Sequence, residues 1–406
     1  MRRGGSREPV SRSELVPGGG DVLVLSMRRV KSLVAFCMQY EFEDVVAGLT
    51  RADRVDVGDF GALEFSRRAY KVMRLAAGSR RFARMSAPRP STVKLERDYG
   101  LFLAVFNNAH ELFALAAVPD WRKRSRIAAC YINEVWASDL PDGYLLEMLA
   151  EFDHVFLGYE HAVDEIGRLI GRPCSHIPLA ADVLRFAPYP HLPARAIDVC
   201  YIGRRSPVTH KALMRLARDS RIFYYYDTVA ASGAGEKQRT FHVDNPREHR
   251  LLLASLLQRS RYFIANRSRA NEPELTMGRD EISGRFYEGA AAGTVMLGEP
   301  PQTAAFKSLF DWPDAVIRLP FDSPDVSEVL AELNRDPEGL ARISQENARN
   351  AALRHDWVHR LGTMFETLGI PPTAAMLERE KRLQALAVAA SEASAATRLR
   401  SLRGTG

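Results

Sequence analysis

The chain has little of what would mark it as secreted, metal-bound or membrane-spanning. Its 406 residues include only four cysteines, Cys37, Cys130, Cys174 and Cys200, far apart and with no C-x-x-C spacing. The common zinc and disulfide frameworks are therefore excluded, and the apolar runs around Cys130 and Cys200 imply buried free thiols. No D-x-D triplet occurs, so the paired aspartates that often clamp a diphosphate through a metal are missing and no metal site is expected. No apolar run approaches the roughly 20 residues needed to cross a bilayer. The opening M-R-R-G-G-S-R-E-P-V lacks the apolar core of a secretory signal. These absences imply a cytoplasmic protein.

What is present is an ordinary globular composition, 46% hydrophobic and 26% charged, long enough for two domains with separate cores. The net charge of +6 is unevenly spread: residues 61–126 carry fourteen Lys and Arg against five acids. Such a stretch suits an anionic acceptor or peripheral contact with an acidic membrane on its cytoplasmic face, although a solvated helical face is the plainer explanation. No nucleic-acid motif surrounds Trp121-Arg122-Lys123-Arg124-Ser125-Arg126, and no nucleic acid is expected as a partner.

Residues 1–20, rich in Gly, Ser and Arg, read as a disordered tail. Short apolar runs at 21–26, 101–106, 127–132 and 154–158 read as strands buried on both faces, alternating with helical stretches such as 161–170. This rhythm implies a doubly wound parallel sheet over residues 21–187. Three prolines within 186–193 make a stiff connection, and the domain boundary is placed there. A second α/β domain is expected over 188–372, with strands at 197–202, 222–226, 262–265, 294–297 and 315–319. A helix is expected at 210–218. Residues 373–406 read as a helical tail that can pack on the N-terminal domain, lie on a membrane or hang free; its mostly alanine apolar face favours packing or disorder.

The most informative segment is 278–298, G-R-D-E-I-S-G-R-F-Y-E-G-A-A-A-G-T-V-M-L-G. Ser283 is placed to cap a helix over 284–292, and Gly293 to end it. Arg285 and Glu288, three apart, share a face, while Asp280 and Glu281 lie in the preceding loop. A carboxylate can accept from two neighbouring hydroxyls, which suits a ribose or hexose diol, and an arginine at a helix start suits a phosphate. In isolation, an exposed Arg285–Glu288 ion pair explains the same residues equally well.

Three stretches, one of them within this segment, shift the balance toward a site. Ile177-Pro178-Leu179-Ala180-Ala181-Asp182-Val183-Leu184-Arg185-Phe186-Ala187-Pro188, the turn Val199-Cys200-Tyr201-Ile202-Gly203-Arg204, and Arg285-Phe286-Tyr287-Glu288-Gly289-Ala290-Ala291-Ala292-Gly293-Thr294 together resemble the group-1 glycosyltransferases of GT-B architecture, in the CgeB-like branch. The resemblance covers about 175–368. It implies an α/β fold of two Rossmann-like, doubly wound domains facing a cleft, and a retaining, metal-independent transfer of sugar from a nucleoside-diphosphate donor, without a further cofactor. Cell-surface glycan biosynthesis is the implied setting, and the acceptor can be a glycan, lipid, protein or small molecule. Arg204, with Arg205 beside it, and Lys211 correspond to the family's phosphate-binding basic pair. Asp280 and Glu288 have the spacing of its two donor-binding acids, with Glu281 as alternative to Asp280; Ser283, Arg285 and Gly289 complete the donor site. On the acceptor side, His110 and Glu134 follow the strands 101–106 and 127–132. The rival readings are a sugar-nucleotide epimerase of the same fold and a non-catalytic glycosyltransferase-like binding or surface-assembly protein.

Overall fold

The computed structural model describes residues 12–58, 90–141, 143–227 and 242–403. They fall into two α/β units: the first ends at His176, and the second begins at Ile177 and also takes in Trp136–Ser138 and Tyr159–His161. The boundary placed at residue 188 thus moves eleven residues earlier, to 177, and the proline-rich segment lies inside the second unit. Backbone bonds explain the shift. Ala181 N–H donates to the His355 carbonyl (3.0 Å), Val183 N–H to Asp356 Oδ2 (2.9 Å), and Arg360 Nε to the Pro178 carbonyl (3.0 Å).

The first unit is built on a sheet of β1 (Glu14–Val16), β2 (Val22–Ser26), β3 (Asp53–Asp56), β4 (Tyr99–Phe106), β5 (Ser125–Ile132), β6 (His154–Leu157) and β7 (Cys174–His176). The order is β1-β3-β2-β4-β5-β6-β7, parallel throughout except for β1 against β3. Its helices include α1 (Cys37–Thr50), α2 (Tyr144–Leu149) and α3 (Val163–Ile170). Strands covered on both faces need side chains that are apolar at every position, which is why β4 reads as the continuous run Leu-Phe-Leu-Ala-Val-Phe. Phe102, Trp121 and Phe152 anchor the core, with ring centroids 5.0 and 4.8 Å apart along the row.

The tail reading of residues 1–20 is corrected over its described part, because β1 pairs with β3 in the register Leu15↔Val55. The glycines that suggested disorder serve close approach instead. A Cβ on Gly18 would stand 2.2 Å from the Ala52 carbonyl oxygen, and the Gly18 and Gly19 N–H groups donate to Asp53 Oδ1 at 2.7 and 2.9 Å. Within the basic stretch, the eight cations from Arg67 to Arg89 lie outside the described residues. Arg97, Arg122 and Arg124 are paired with Asp53, Asp153 and Asp98. The cysteines are free thiols, three of them buried and Cys174 half-buried.

The second unit holds β8 (Ile197–Tyr201), β9 (Tyr224–Tyr226), β10 (Ser260–Ile264), β11 (Val295–Gly298) and β12 (Ile317–Arg318), in the order β12-β11-β10-β8-β9 and all parallel. Around it are α4 (Val183–Phe186), α5 (Pro207–Arg218), α6 (Pro246–Gln258), α7 (Pro273–Thr276), α8 (Gly284–Ala291), α9 (Ala304–Leu309), α10 (Val326–Leu333), α11 (Pro337–Arg354), α12 (Trp357–Thr367) and α13 (Ala374–Arg403). Helix α5 starts three residues before the expected 210, because Ser206 Oγ accepts the Thr209 N–H (3.1 Å) and Pro207 suits the first turn. The C-terminal helix α13 packs along α11 within this unit. Its Arg379 bonds Asp356 at 2.7 Å and Asp182 at 2.6 Å. No helix among the described residues is long and apolar enough to cross a membrane.

The fold class read from the sequence, two parallel α/β sheets, is the one observed. In both, the first strand of the parallel part, β2 or β8, lies inside the sheet, the next strand pairs on one side of it, and the chain then crosses to the other. The reversal lies between β2 and β4 in the first sheet and between β8 and β10 in the second. Carboxyl ends of strands at such a reversal open a crevice where ligands bind.

Candidate functional site at the end of strands β8 and β10

The chain leaves β8 through Gly203, which adopts φ +79° and donates its N–H to Asp227 Oδ2 at 2.6 Å. A side chain there would be strained by that φ, and its Cβ would stand 3.3 Å from Arg285 Nη2. The glycine turn and the start of α8 are therefore in contact, and Arg285 lies over the turn. Arg285 Nη1 donates to Glu288 Oε2 (2.8 Å), while Arg250 of α6 donates to Glu288 Oε1.

Glu288 is only 2% exposed. Burial pushes its carboxyl toward the neutral form, but the guanidiniums of Arg285 and Arg250 override that and hold its pKa below the ordinary value. The surface ion pair conceivable from sequence is excluded. Glu288 is also not the open hydroxyl acceptor expected, since each of its oxygens already receives a guanidinium bond. At Gly289 a Cβ would meet Met296 Sδ at 2.7 Å and Phe263 Cδ1 at 2.9 Å, so the lack of a side chain lets α8 pack on β10 and β11.

Strand β10 exits through Asn266-Arg267-Ser268-Arg269. Arg267 Nε donates to Asp280 Oδ1 (2.9 Å), and its buried Nη1 has no hydrogen-bond partner among the described residues. Arg269 Nη1 and Arg204 Nη1 both donate to Glu272 Oε2, at 2.9 and 2.8 Å, so one carboxylate ties the β8 and β10 exits together. Arg205 lies 5.3 Å over the Tyr226 ring and donates to the Asp227 carbonyl at 2.9 Å. Arg204, by contrast, keeps 48% of its side chain in solvent. Guanidiniums fixed by carboxylates, with donors left over, form a ready cradle for phosphate oxygens.

The remaining expected residues are distributed as follows. Asp280 pairs with Arg267, and Glu281, 5% exposed, with His161 Nδ1 at 2.5 Å. Ser283 occupies the N-cap position of α8, yet its hydroxyl donates to the Asn266 carbonyl (2.7 Å) instead of capping. Lys211 is exposed on α5 and forms no ion pair among the described residues. His110 and Glu134 belong to the first unit, where Glu134 N–H donates to the Asn107 carbonyl (2.7 Å) and so joins the ends of β4 and β5. The residues missed are Arg250, Arg267 and Arg269. The cationic pair straight after the β10 run was a usable signal, whereas Arg250, mid-helix, left none.

His355 and His359 have the i, i+4 spacing of a helical metal pair. His355 instead packs against Phe310 and Tyr287, with ring centroids at 4.6 and 5.2 Å, and burial pushes its pKa well down. His359 Nε2 lies 3.2 Å from the Ala352 carbonyl. No group of three or more metal-ligand side chains gathers among the described residues.

Residues 244–366 match a family described as glycosyl transferase-like. This segment, under a third of the chain, contains Arg250, Arg267, Arg269 and all of α8. No curated protein matches the chain significantly. Similar solved structures include TarM, at 9% identity and TM-score 0.41, covering 66% of this chain and 54% of that one. The glycotransferase of kitacinnamycin matches at 14% identity and TM-score 0.35, covering 86% and 98%. A GtfA/B complex bound to UDP and GlcNAc matches at 10% and 0.31, covering 71% and 57%. The chain thus spans about half the length of TarM.

Proposed function

We propose that the protein transfers a glycosyl group from a nucleoside-diphosphate sugar to a hydroxyl-bearing acceptor, by a retaining and metal-independent route, with the donor held at the ends of β8 and β10. The observation that carries this is the placement of Arg204, Arg205 and Arg285 about the Gly203 turn, with Arg269 tied to Arg204 through Glu272, at the reversal of a parallel sheet; Arg269 and Arg285 lie within the segment that matches the glycosyl transferase-like family. When the bond from the sugar to the diphosphate breaks, negative charge grows on the leaving group. Guanidiniums already fixed by Asp227, Glu272 and Asp280 oppose that charge without reorganising. Glu288 sets the position of Arg285.

Arg204→Ala is the clean test, because Arg204 is half exposed and pairs only with Glu272 among the described residues. Loss of a charge-assisted phosphate contact is expected to weaken nucleoside-diphosphate binding, read by titration calorimetry, by about ten- to a hundredfold. Thermal unfolding should stay put. Failure of UDP, GDP and ADP all to bind the wild-type protein, or equal affinity in the variant, defeats the proposal.

A further inference from the structure

The pair His161–Glu281 is built more elaborately than packing requires. His161 lies in the short segment Tyr159–His161 that joins the second unit. Its Nδ1 stands 2.5 Å from Glu281 Oε1, and its backbone N–H reaches the same oxygen at 3.3 Å. A carboxylate only accepts, so in the neutral ring Nδ1 carries the proton and Nε2 offers a lone pair. That Nε2 is buried and has no hydrogen-bond partner among the described residues. Leaving it so costs free energy, which a ligand group can return.

The surroundings define the ligand group. Trp136 and Tyr159 wall the imidazole, with ring centroids at 5.8 and 6.2 Å, and the Tyr159 hydroxyl is 2.8 Å from Ser268 Oγ. Ser268 N–H donates to the Glu281 carbonyl (2.9 Å), and Asp280, the residue before Glu281, holds Arg267. The dyad therefore stands on the same β10 exit as Arg267 and Arg269, and Arg269 lies 5.6 Å over the Trp136 ring that walls it. Phosphate oxygens are acceptors and cannot satisfy an acceptor nitrogen. A hydroxyl can.

We propose that His161 Nε2 accepts a hydrogen bond from a hydroxyl of the sugar carried by the nucleoside diphosphate, and that Glu281 is a positioning residue that fixes the imidazole tautomer. His161 then helps to decide which sugar is accepted, a role that no motif in the sequence announced. The inference rests on the assignment of the β8–β10 crevice to a sugar nucleotide.

The test compares binding of UDP, GDP and ADP with binding of UDP-glucose, UDP-N-acetylglucosamine, GDP-mannose and ADP-glucose to the full-length protein by calorimetry. The wild type should bind at least one sugar nucleotide more tightly than its nucleoside diphosphate. In His161→Asn the amide can still donate to Glu281 while the Nε2 acceptor is gone, so nucleoside-diphosphate affinity should hold and the advantage of the sugar should fall about three- to tenfold. His161→Gln places an amide near Nε2 and should keep part of that advantage; it also serves should the Asn variant fail to fold. In Glu281→Gln, the His161 nitrogen chemical shifts should change from a single Nδ1–H tautomer to a mixture, which lost packing alone would not produce. An undiminished sugar advantage in His161→Asn overturns the inference, as does an equal loss for nucleoside diphosphate and sugar nucleotide, which would put the contact on ribose or base. If no nucleoside diphosphate binds the wild type, the donor-site assignment itself fails.

Discussion

Replacing Arg250 by Ala removes one of the two cations that keep Glu288 ionised in the interior. The side chains of Arg250 and Glu288 are 3% and 2% exposed, so the bond between them is screened little by water. At an effective dielectric of about 20 and a charge separation of about 4 Å, the attraction is about 4 kcal/mol. Breaking a buried pair by deleting one partner typically costs about 3–5 kcal/mol, because the other charge stays behind. Arg285 remains, but 26% of its side chain is in solvent, which weakens its hold. The cost should also depend on pH. In the wild type the folded pKa of Glu288 is depressed, so its contribution is present above the unfolded value of about 4.3 and is lost as pH falls below it. In Arg250→Ala burial dominates and the folded pKa rises above that value, so Glu288 binds a proton and the penalty grows as pH rises from about 4 to 7. Urea unfolding of both proteins across this range, followed by the transition of the second unit, measures the difference. Adding Glu288→Gln to the variant should recover part of the loss at pH 7. A cost under about 1 kcal/mol at pH 7, or one that does not change with pH, would refute the account of Glu288 as a buried, doubly paired carboxylate.

Two further outcomes follow from the ends of the chain. Asp53, whose burial would raise its pKa, is brought down to about 2 by the N–H groups of Gly18 and Gly19 together with Arg97 and Tyr99. Its contribution is thus full above the unfolded value of about 3.9 and disappears as pH drops toward 2, so Asp53→Asn should flatten the acid limb of the stability curve and speed hydrogen exchange in β1. An unchanged acid limb would speak against the bonds drawn from Asp53. At the other end, Arg379→Ala strips the side-chain cation from the fully buried Asp356 and should lower stability by about 3 kcal/mol while exposing α13 to protease. Limited proteolysis that leaves α13 as resistant as before would show that Arg379 does not fasten it.

What the sequence made legible, and what it concealed, follows from the range of the interactions. The inner strands were plain because a sheet covered on both faces demands apolar residues at successive positions, as in β4, β5 and β8. Strands β1 and β3 escaped because an antiparallel edge and a short strand holding Asp53, Arg54 and Asp56 satisfy their polar groups through partners far along the chain, such as Gly18 and Tyr99. The Gly-Gly-Gly run before β2 has the composition of a flexible tail and the geometry of a packed one. Composition records the absence of side chains and is silent about whether backbone lies against the gap.

The same reasoning separates the two halves of the candidate site. Arg285 and Glu288 were found because helix periodicity puts residues three apart on one face, and Gly203 because it closes the apolar strand 197–202 in a stretch that resembles the family. Their state was not: a pair that periodicity allows at the surface becomes a buried triad only through Arg250, thirty-eight residues before Glu288 and on another helix. Burial then changes the chemistry, since an exposed carboxylate offers itself to a sugar whereas Glu288 is first a counter-ion that holds two arginines in place. His161 and Glu281, separated by 120 residues, carry this further. His161 has no local pattern and Glu281 only that of an alternative to Asp280, and it is their meeting that leaves an acceptor nitrogen without a hydrogen-bond partner among the described residues, on the β10 exit that also carries Arg267 and Arg269. In the proposed site, assembled from such distant pieces, the motif would supply the charge for a diphosphate and the His161–Glu281 pair would read what that diphosphate carries.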